Sequence, residues 1–495
     1  MRYYNMGCCR CSPSCKKWTT FGVATAFIIF GLFFSIFWAM IVKKVMNYEL
    51  GLSSKDTNAY GMWKETPIPI YLSFYFFNWT NSEEYQRNSS IKPHFDECGP
   101  YTYHEHHVRD NVTINDNSTI SFYNRRTWKF VPERSVGDLT DQITTFNPIV
   151  ASIASLVKDK NYIVLIGVDF FLEEYKINLT VTKTVEEFTF EGYDDPLLKL
   201  VQKLNITGLK IPFKKFGWFV DRNDSAPYDG MWNMDNGANS IDTLGLVRNW
   251  NYESRVPYYE GTCGEVEGTQ GELWYPPHDK KTVKIFSNDL CSSIELDWRG
   301  DYEYQGMKGH KFVGTDKVFD NGTKYPEMGC FKGKGVTHQL SGVRNVSLCK
   351  YGAPALVSFP HFYEADPAFL ADIEGLEPNK TQHEMFLALE PETGLPLTVR
   401  AQIQLNLKME KVKHIKILEN VKSTVMPMFW FSQQADLTGD LVDSVKGVLL
   451  LTPIGAYTGY GLLGIGVLIA IIGIVITFRR GWHDSEDELL LNSNT

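Results

Sequence analysis

The sequence predicts an α+β membrane protein: a large antiparallel-sheet domain with a helical insertion, carried between two membrane-spanning helices. Three observations lead there. Two long uncharged apolar runs lie near the ends of the 495-residue chain, ten glycosylation sequons fall between them, and short alternating apolar segments recur in that stretch. A composition of 43% hydrophobic and 22% charged residues excludes a disordered polymer. A formal net charge of −9 excludes a general nucleic-acid surface, so an anionic ligand needs a local basic patch.

The N-terminal tail, residues 1–20, carries Cys8, Cys9, Cys11 and Cys15 in "CCRCSPSC", just before an apolar run. Thiols this close to an inner leaflet are candidates for S-palmitoylation. Zinc is a rival without a histidine nearby, and unmodified thiols are the plainest alternative. Residues 21–42, "FGVATAFIIFGLFFSIFWAMIV", hold no charge and would span about 33 Å as a helix, a bilayer core. That is too long for a cleaved signal peptide, and no A-x-A-type site follows, so the segment reads as an uncleaved anchor.

The second uncharged run, Gly447 to Phe478, exceeds what one span needs. Within the 448–478 segment we place the helix near Tyr457 to Phe478. The upstream "GVLLLTPIGA" goes to the outer membrane surface or the base of the domain, because Pro453 would interrupt a longer helix. Arg479 and Arg480 put the following tail, 479–495, in the cytoplasm. Charges around the first helix are nearly balanced, and the sequons break the tie. Asn78, Asn88, Asn111, Asn117, Asn178, Asn205, Asn223, Asn321, Asn345 and Asn379 all begin N-x-S/T and all lie between the helices. Residues 43–447 are therefore expected to be extracellular or lumenal, with both tails cytoplasmic.

Cys98, Cys263, Cys291, Cys330 and Cys349 lie in that middle region, where an oxidising compartment would pair four of the five. The grouping of the last four suggests two bridges there and leaves Cys98 over. Strand-like runs include "TYHEHHVR", "STISFYNRRTWKF", "YGAPALVSFPHFY" and "LTVRAQIQLNLKM". The last alternates from Leu397 to Met409, the mark of a strand with one solvated face. Residues 147–175 instead place apolar side chains at three- and four-residue spacing, as a helix does. In "PIYLSFYFFNWT", Ile70, Leu72, Phe74 and Phe76 share one strand face and Tyr71, Ser73, Tyr75 and Phe77 the other. Both faces are apolar enough to require burial, one in the core and one under a second layer or along a lipid-lined cavity.

His104, Glu105, His106 and His107 invite a metal site, but two ligands on one strand face do not close one, and a solvated strand is expected. No hydrolase, metalloprotease, phosphate-loop or dinucleotide motif is found, and neither an enzyme nor a cofactor is expected. In "HDSEDELLLNSNT", Glu486 with Leu490 and Leu491 fits an acidic dileucine sorting signal of the kind clathrin adaptors read. Gly22-x-x-x-Ala26, Gly455-x-x-x-Gly459 and Gly466-x-x-x-Ala470 would let helices approach closely, either the two spans or two copies in a homo-oligomer.

Nine blocks in order, among them "PIPIYLSFYFFNWTN", "CGPYTYHE", "FEGYDDPL", "FSNDLCSSI", "FPHFYEADP" and "LEPETGLPL", resemble the class B scavenger receptor family, most of all an insect phagocytic member. The resemblance covers nearly the whole chain. It implies a large antiparallel β-barrel ectodomain crossed by a hydrophobic tunnel, with an apical helical bundle at residues near 147–185. By that resemblance Phe74 and Phe76 would line the tunnel. Lys158, Lys160 and Lys176 would stand where the family's bundle lysines bind anionic lipids and lipoproteins, although Glu173 and Glu174 dilute the charge. It also implies bridges Cys263–Cys330 and Cys291–Cys349. Many members carry a third bridge at a C-F-C motif; here the motif reads Cys330-Phe331-Lys332, so that bridge is absent and the 331–348 loop is expected to be looser.

The function so implied is a plasma-membrane scavenger receptor for lipids, lipoproteins, apoptotic cells or microbes, supporting endocytic or phagocytic uptake and lipid transfer. Tails this short leave signalling to partners. One alternative is a lysosomal lipid exporter or enzyme-sorting receptor of the same family. A two-span ligand-gated channel is another, weakened by having only Thr25, Ser35, Thr458 and Thr477 as polar span positions.

Overall fold

The computed structural model describes residues 13–199, 214–332, 340–479 and 481–482. Two compact units emerge, one holding the two terminal helices and the other Leu50–Thr438. The terminal helices, Pro13–Leu50 and Gly439–Arg479, are long and apolar enough to cross a bilayer.

The second of these helices runs unbroken through Pro453, against the sequence expectation of an interruption. A partner helix stands beside the proline turn. Trp38 Nε1 donates to the Leu451 carbonyl at 2.8 Å, and its ring fills the space left by Gly455, where an added Cβ would lie 1.8 Å from Trp38 Cδ1. Added Cβ atoms at Gly459 and Gly466 would meet Ser35 and Ile28 at 2.6 and 2.8 Å. The small residues of the second helix thus serve packing of the two helices on each other. Gly22 meets nothing within 4 Å.

The Leu50–Thr438 unit is built on a 13-stranded antiparallel sheet. Its main path runs Val247–Trp250, Met231–Asp235, Thr119–Phe130, Phe95–Ile114, Ile70–Trp79, Thr424–Asp436, Pro396–Met409, Phe386–Leu389, Met307–Val313, Ser292–Tyr304 and Thr282–Ser287. The ends of the path approach one another through Thr269, which bridges Leu246 on one side and Ile285 on the other. The sheet is therefore a nearly closed barrel, and closure removes the exposed edges that a long open sheet would present.

The Ile70–Trp79 strand sits centrally, paired with Phe95–Ile114 and Thr424–Asp436. Its two apolar faces are buried as expected: Leu72, Phe74 and Phe76 on one side, Phe77 and Ser73 on the other. Register slips between Phe74 and Phe76, because Phe74 pairs with Tyr101 and Phe76 with Cys98, leaving Gly99 and Pro100 opposite Tyr75. That bulge requires the glycine. Its φ is +132°, and a Cβ there would lie 2.6 Å from the Phe74 carbonyl oxygen.

The alternating Pro396–Met409 strand departs from expectation. Its polar face is not solvated: Gln402, Gln404 and Asn406 are buried. Gln404 Nε2 donates to Asn406 Oδ1 at 2.7 Å, Asn406 Nδ2 to Ser358 Oγ at 3.0 Å, and the His361 backbone N–H to Gln404 Oε1 at 2.7 Å. The Ala355–Ser358 strand pairs edge to edge with Gln404–Leu407, Ser358 Oγ and the turn at His361 meet the polar side chains, and this hydrogen-bonded amide ladder makes polar burial tolerable.

The helical insertion appears as two helices, Pro148–Val157 and Tyr162–Glu174, capped by Asn147 and Asn161. A two-stranded sheet, Gln142–Phe146 with Thr180–Thr184, draws the ends of the insertion together. Cys263 is bridged to Cys330 and Cys291 to Cys349, as the resemblance implies, with Cα separations of 5.9 and 6.3 Å. With sequence separations of 67 and 58 between partners, each bridge contributes about 4 kcal/mol by loop closure. Phe331 is buried against Tyr259 and under the Arg344 guanidinium, 3.6 Å from its ring; residues 333–339 lie outside the described residues.

Candidate ligand-binding site

The barrel interior is lined by rings drawn from distant parts of the chain. Phe74 lies 5.0 Å from Phe219, 5.8 Å from Tyr103, 5.9 Å from Phe429 and 6.4 Å from both Phe190 and Phe431. Phe76 continues the group toward Phe188, Tyr101 and Phe429. At 0% and 1% exposure, Phe74 and Phe76 are enclosed by other rings and border no open space in this conformation. Edge-to-face contacts dominate, each adding about 0.5–1.5 kcal/mol beyond burial. Such an interior offers an acyl chain or sterol only apolar and polarizable surface. On the outer face of the same strand, Tyr75 stacks flat on Trp430 at 3.9 Å.

Further along the Phe95–Ile114 strand the inward face changes from rings to charges. Glu105 and His107 are buried, so the expectation of a solvated strand fails for these two; only His104 and His106 are partly exposed. The strand was read locally as exposed, but its partners come from far away in sequence. His107 presents Nε2 to Glu105 Oε1 at 2.6 Å and Nδ1 to Glu272 Oε1 at 2.9 Å, so both ring nitrogens donate and the ring is an imidazolium. Arg109 pairs with Glu272. Arg126 reaches Asp229 at 3.1 Å and Glu105 at 3.6 Å, and Arg222 reaches Asp229 at 2.9 Å and Asp289 at 3.0 Å.

Burial works against charge at Glu105, His107, Glu272 and Asp289, and the partners outweigh it. Burial would raise Glu105, yet the His107 charge, followed by its hydrogen bond and Arg126, holds it at about 2. Burial would lower His107, and Glu272 and Glu105 raise it. Glu272 and Asp289 are likewise held well below the carboxylate range, chiefly by Arg109 and Arg222 against burial. The belt separates two apolar clusters: Arg222 lies over Trp128 and Phe219 of one, Arg109 over Trp63 of the other. Nothing in the local pattern "HEHHVR" signals this, because the carboxylates that bury it sit some 120–180 residues later.

A second paired histidine site lies beside the amide ladder. His361 and His383 stack at 4.4 Å, and His361 Nε2 lies 2.6 Å from Glu97 Oε2, which also accepts from Trp430 Nε1 at 2.7 Å. Each imidazole accepts a backbone N–H at Nδ1, from Glu377 and Asn379 respectively.

On the helical insertion, Lys158 is paired with Glu410 at 2.7 Å, whereas Lys160 and Lys176 are exposed. Lys416 pairs with Glu173. The three lysines do not form one patch of unopposed charge. What faces water instead is apolar: Tyr162, Ile163, Ile166 and Phe170, at 60, 79, 40 and 66% exposure, follow one another on the Tyr162–Glu174 helix. The same 3- and 4-residue spacing that predicts the helix contains this face, but periodicity does not say which side is covered.

Among the sequons, Asn88, Asn111, Asn117, Asn178, Asn223 and Asn379 are exposed, and Asn78 and Asn345 are half-buried. Asn321 is 3% exposed, and its Nδ2 donates to the Leu340 carbonyl at 3.1 Å. Cys98 is half-buried, its thiol raised by burial and then by Asp96, Asp141 and Glu97. Cys15 lies exposed at the start of the first helix. Cys8, Cys9, Cys11, Asn205, Glu486, Leu490 and Leu491 lie outside the described residues.

Two bilayer-length helices and a nearly closed barrel with a ring-packed apolar interior define a membrane protein of the barrel-ectodomain type. The CD36 family profile matches residues 21–477, and the chain belongs to the CD36 family. It is 35% identical to Protein peste of Drosophila melanogaster over 84% of this chain and 75% of that protein. It is 30% identical to scavenger receptor class B member 1 of Bos taurus, over 94% of this chain and 92% of the other. Lysosome membrane protein 2 of Homo sapiens is 30% identical over 85% and 86%.

Proposed function

We propose that this protein is a cell-surface receptor of the scavenger type, with the Leu50–Thr438 unit extracellular or lumenal and both tails cytoplasmic. It takes up lipid-bearing particles, namely lipoproteins, apoptotic cells or microbes, and passes lipid through its barrel. The observation that carries this reading is the ring-lined interior around Phe74 and Phe76 in a barrel attached to membrane helices. A ligand entering there must part these rings and replace their mutual contacts with its own apolar surface. The exposed Tyr162–Phe170 face, with Lys160 and Lys176 beside it, is proposed as the particle-binding surface.

The test is binding of a fluorescent fatty acid, a sterol and anionic phospholipid vesicles by the full chain in nanodiscs. Phe74→Trp, which overpacks an enclosed position at a cost of about 1–3 kcal/mol, is expected to slow lipid uptake in the protein that still folds by its thermal transition, and Ile163→Asp with Phe170→Asp to weaken vesicle binding. Absence of binding to all three ligands would overturn the proposal. A lysosomal role is favoured by the likeness to lysosome membrane protein 2. Leu490→Ala with Leu491→Ala distinguishes it, since unchanged steady-state distribution argues against dileucine-driven residence.

A further inference from the structure

We propose that a polar cleft beside the Thr119–Phe130 strand is a seat for carbohydrate, occupied by the protein's own sugar chain on Asn117. This rests on the extracellular or lumenal placement of the Leu50–Thr438 unit. The cleft has a volume of about 430 Å³, within the range of small-ligand sites. One wall is the sequon itself, Asn117, Ser118 and Thr119; the other carries Asn233, Asn239 and Asn249 with Ser240 and Thr243.

The lining selects the ligand class. It has no large apolar side chain, which excludes a lipid tail. Its cation, Arg248, is neutralised by Asp235, with Nε 2.9 Å from Oδ1 and a second contact through Nη2, so the cleft has no net charge to offer an anion. What remains are amide and hydroxyl groups that both donate and accept, the chemistry that recognises a neutral polyol with an acetamido group.

The same lining selects the source. A saccharide free in solution needs an aromatic platform or deep burial to bind tightly, and this open cleft supplies neither. A sugar tethered at Asn117 is held at millimolar effective concentration and needs little intrinsic affinity. Asn117 is exposed in the turn joining two strands, and its Oδ1 accepts from Thr119 Oγ1 at 2.7 Å. That bond leaves Nδ2, the atom that carries a sugar, uncommitted to it. Ser118 Oγ donates to Asn239 Oδ1 at 3.1 Å, tying the sequon to the opposite wall.

Site-resolved glycopeptide mass spectrometry on the full chain from secretory cells tests this, with exposed Asn111 as the internal reference. The glycan at Asn117 is expected to be trimmed several-fold less than that at Asn111. Asn239→Ala with Asn249→Ala should raise Asn117 processing to the Asn111 level. Equal processing of the two sites in the native chain, or no change in the variant, overturns the proposal. An unoccupied Asn117 among occupied sequons overturns the docking alone, whereas sugar on no sequon overturns the placement of the whole unit. If the double variant fails to fold, hydrogen exchange of the native chain against Asn117→Gln decides: slower exchange at 231–250 in the glycosylated form supports the seat, and identical exchange refutes it. Binding of free oligomannose by Asn117→Gln at micromolar concentration would make the cleft a receptor for foreign sugar and overturn the tethered occupant.

Discussion

Glu105→Gln tests whether the buried charged belt holds the barrel interior together. Glu105 is 1% exposed and contacts His107, Arg126 and Gln433, all of them donors to it, so the substitution keeps the shape, removes the charge and turns one of two acceptor oxygens into a donor. Its carboxyl sits at about 2, against about 4.3 for an unperturbed glutamate, a depression of roughly 2 units, or about 3 kcal/mol. Removal of one partner from a buried ion pair costs about 3–5 kcal/mol, which agrees. For a unit the size of Leu50–Thr438 this is a fall in Tm of about 4 °C. The sign with pH follows from the depressed value. Glu105 contributes its full stability above the unfolded carboxylate pKa of about 4.3 and loses it progressively as pH falls from there through about 2. His107, raised by its two carboxylates, contributes fully below the ordinary histidine value and loses its share as pH rises through the elevated one. The belt therefore survives endosomal acidity. Thermal unfolding of native and variant protein at pH 7.5, 5 and 2.5 should show the full gap at the first two and its collapse at the third. A variant as stable as the native chain at pH 7.5, or a gap that closes between pH 7.5 and 5, would refute the argument.

Three further outcomes are expected. His383 is lowered to about 4 by burial and then by His361, so its stabilisation is complete above about 6.5 and is lost as pH falls toward 4; His383→Asn, which keeps an acceptor for the Asn379 N–H, should flatten the Tm profile across that window. Asn321 should carry no sugar in the folded chain, because its Nδ2 is committed to Leu340; glycopeptide mapping that finds it occupied would contradict this placement. Gly459→Leu should separate the terminal helices, since a Cβ alone would stand 2.6 Å from Ser35 Oγ, and engineered cysteine cross-linking between the helices should then fall several-fold, while Gly22→Leu, in open space, should leave it unchanged.

The two long apolar helices, the Phe74–Phe76 strand and the helical insertion were legible in the chain because each is written in local periodicity. Disulfide pairing was legible only through family likeness. Three readings failed at one kind of place, where the partner is remote. Pro453 lies inside a helix that packs against Trp38, the polar side chains of Pro396–Met409 are bonded by Ser358 and the turn at His361, and Glu105 with His107 is enclosed by Arg126 and Glu272.

Periodicity and composition by themselves determined that this chain carries two helices long and apolar enough to cross a membrane and folds its middle into an antiparallel sheet, since burial of alternate side chains is a property of the segment alone. Tertiary structure alone decided which polar residues lie inside. Desolvating a carboxylate or an imidazole costs several kcal/mol unless a counter-charge meets it, and whether one does depends on segments brought together from more than a hundred residues apart.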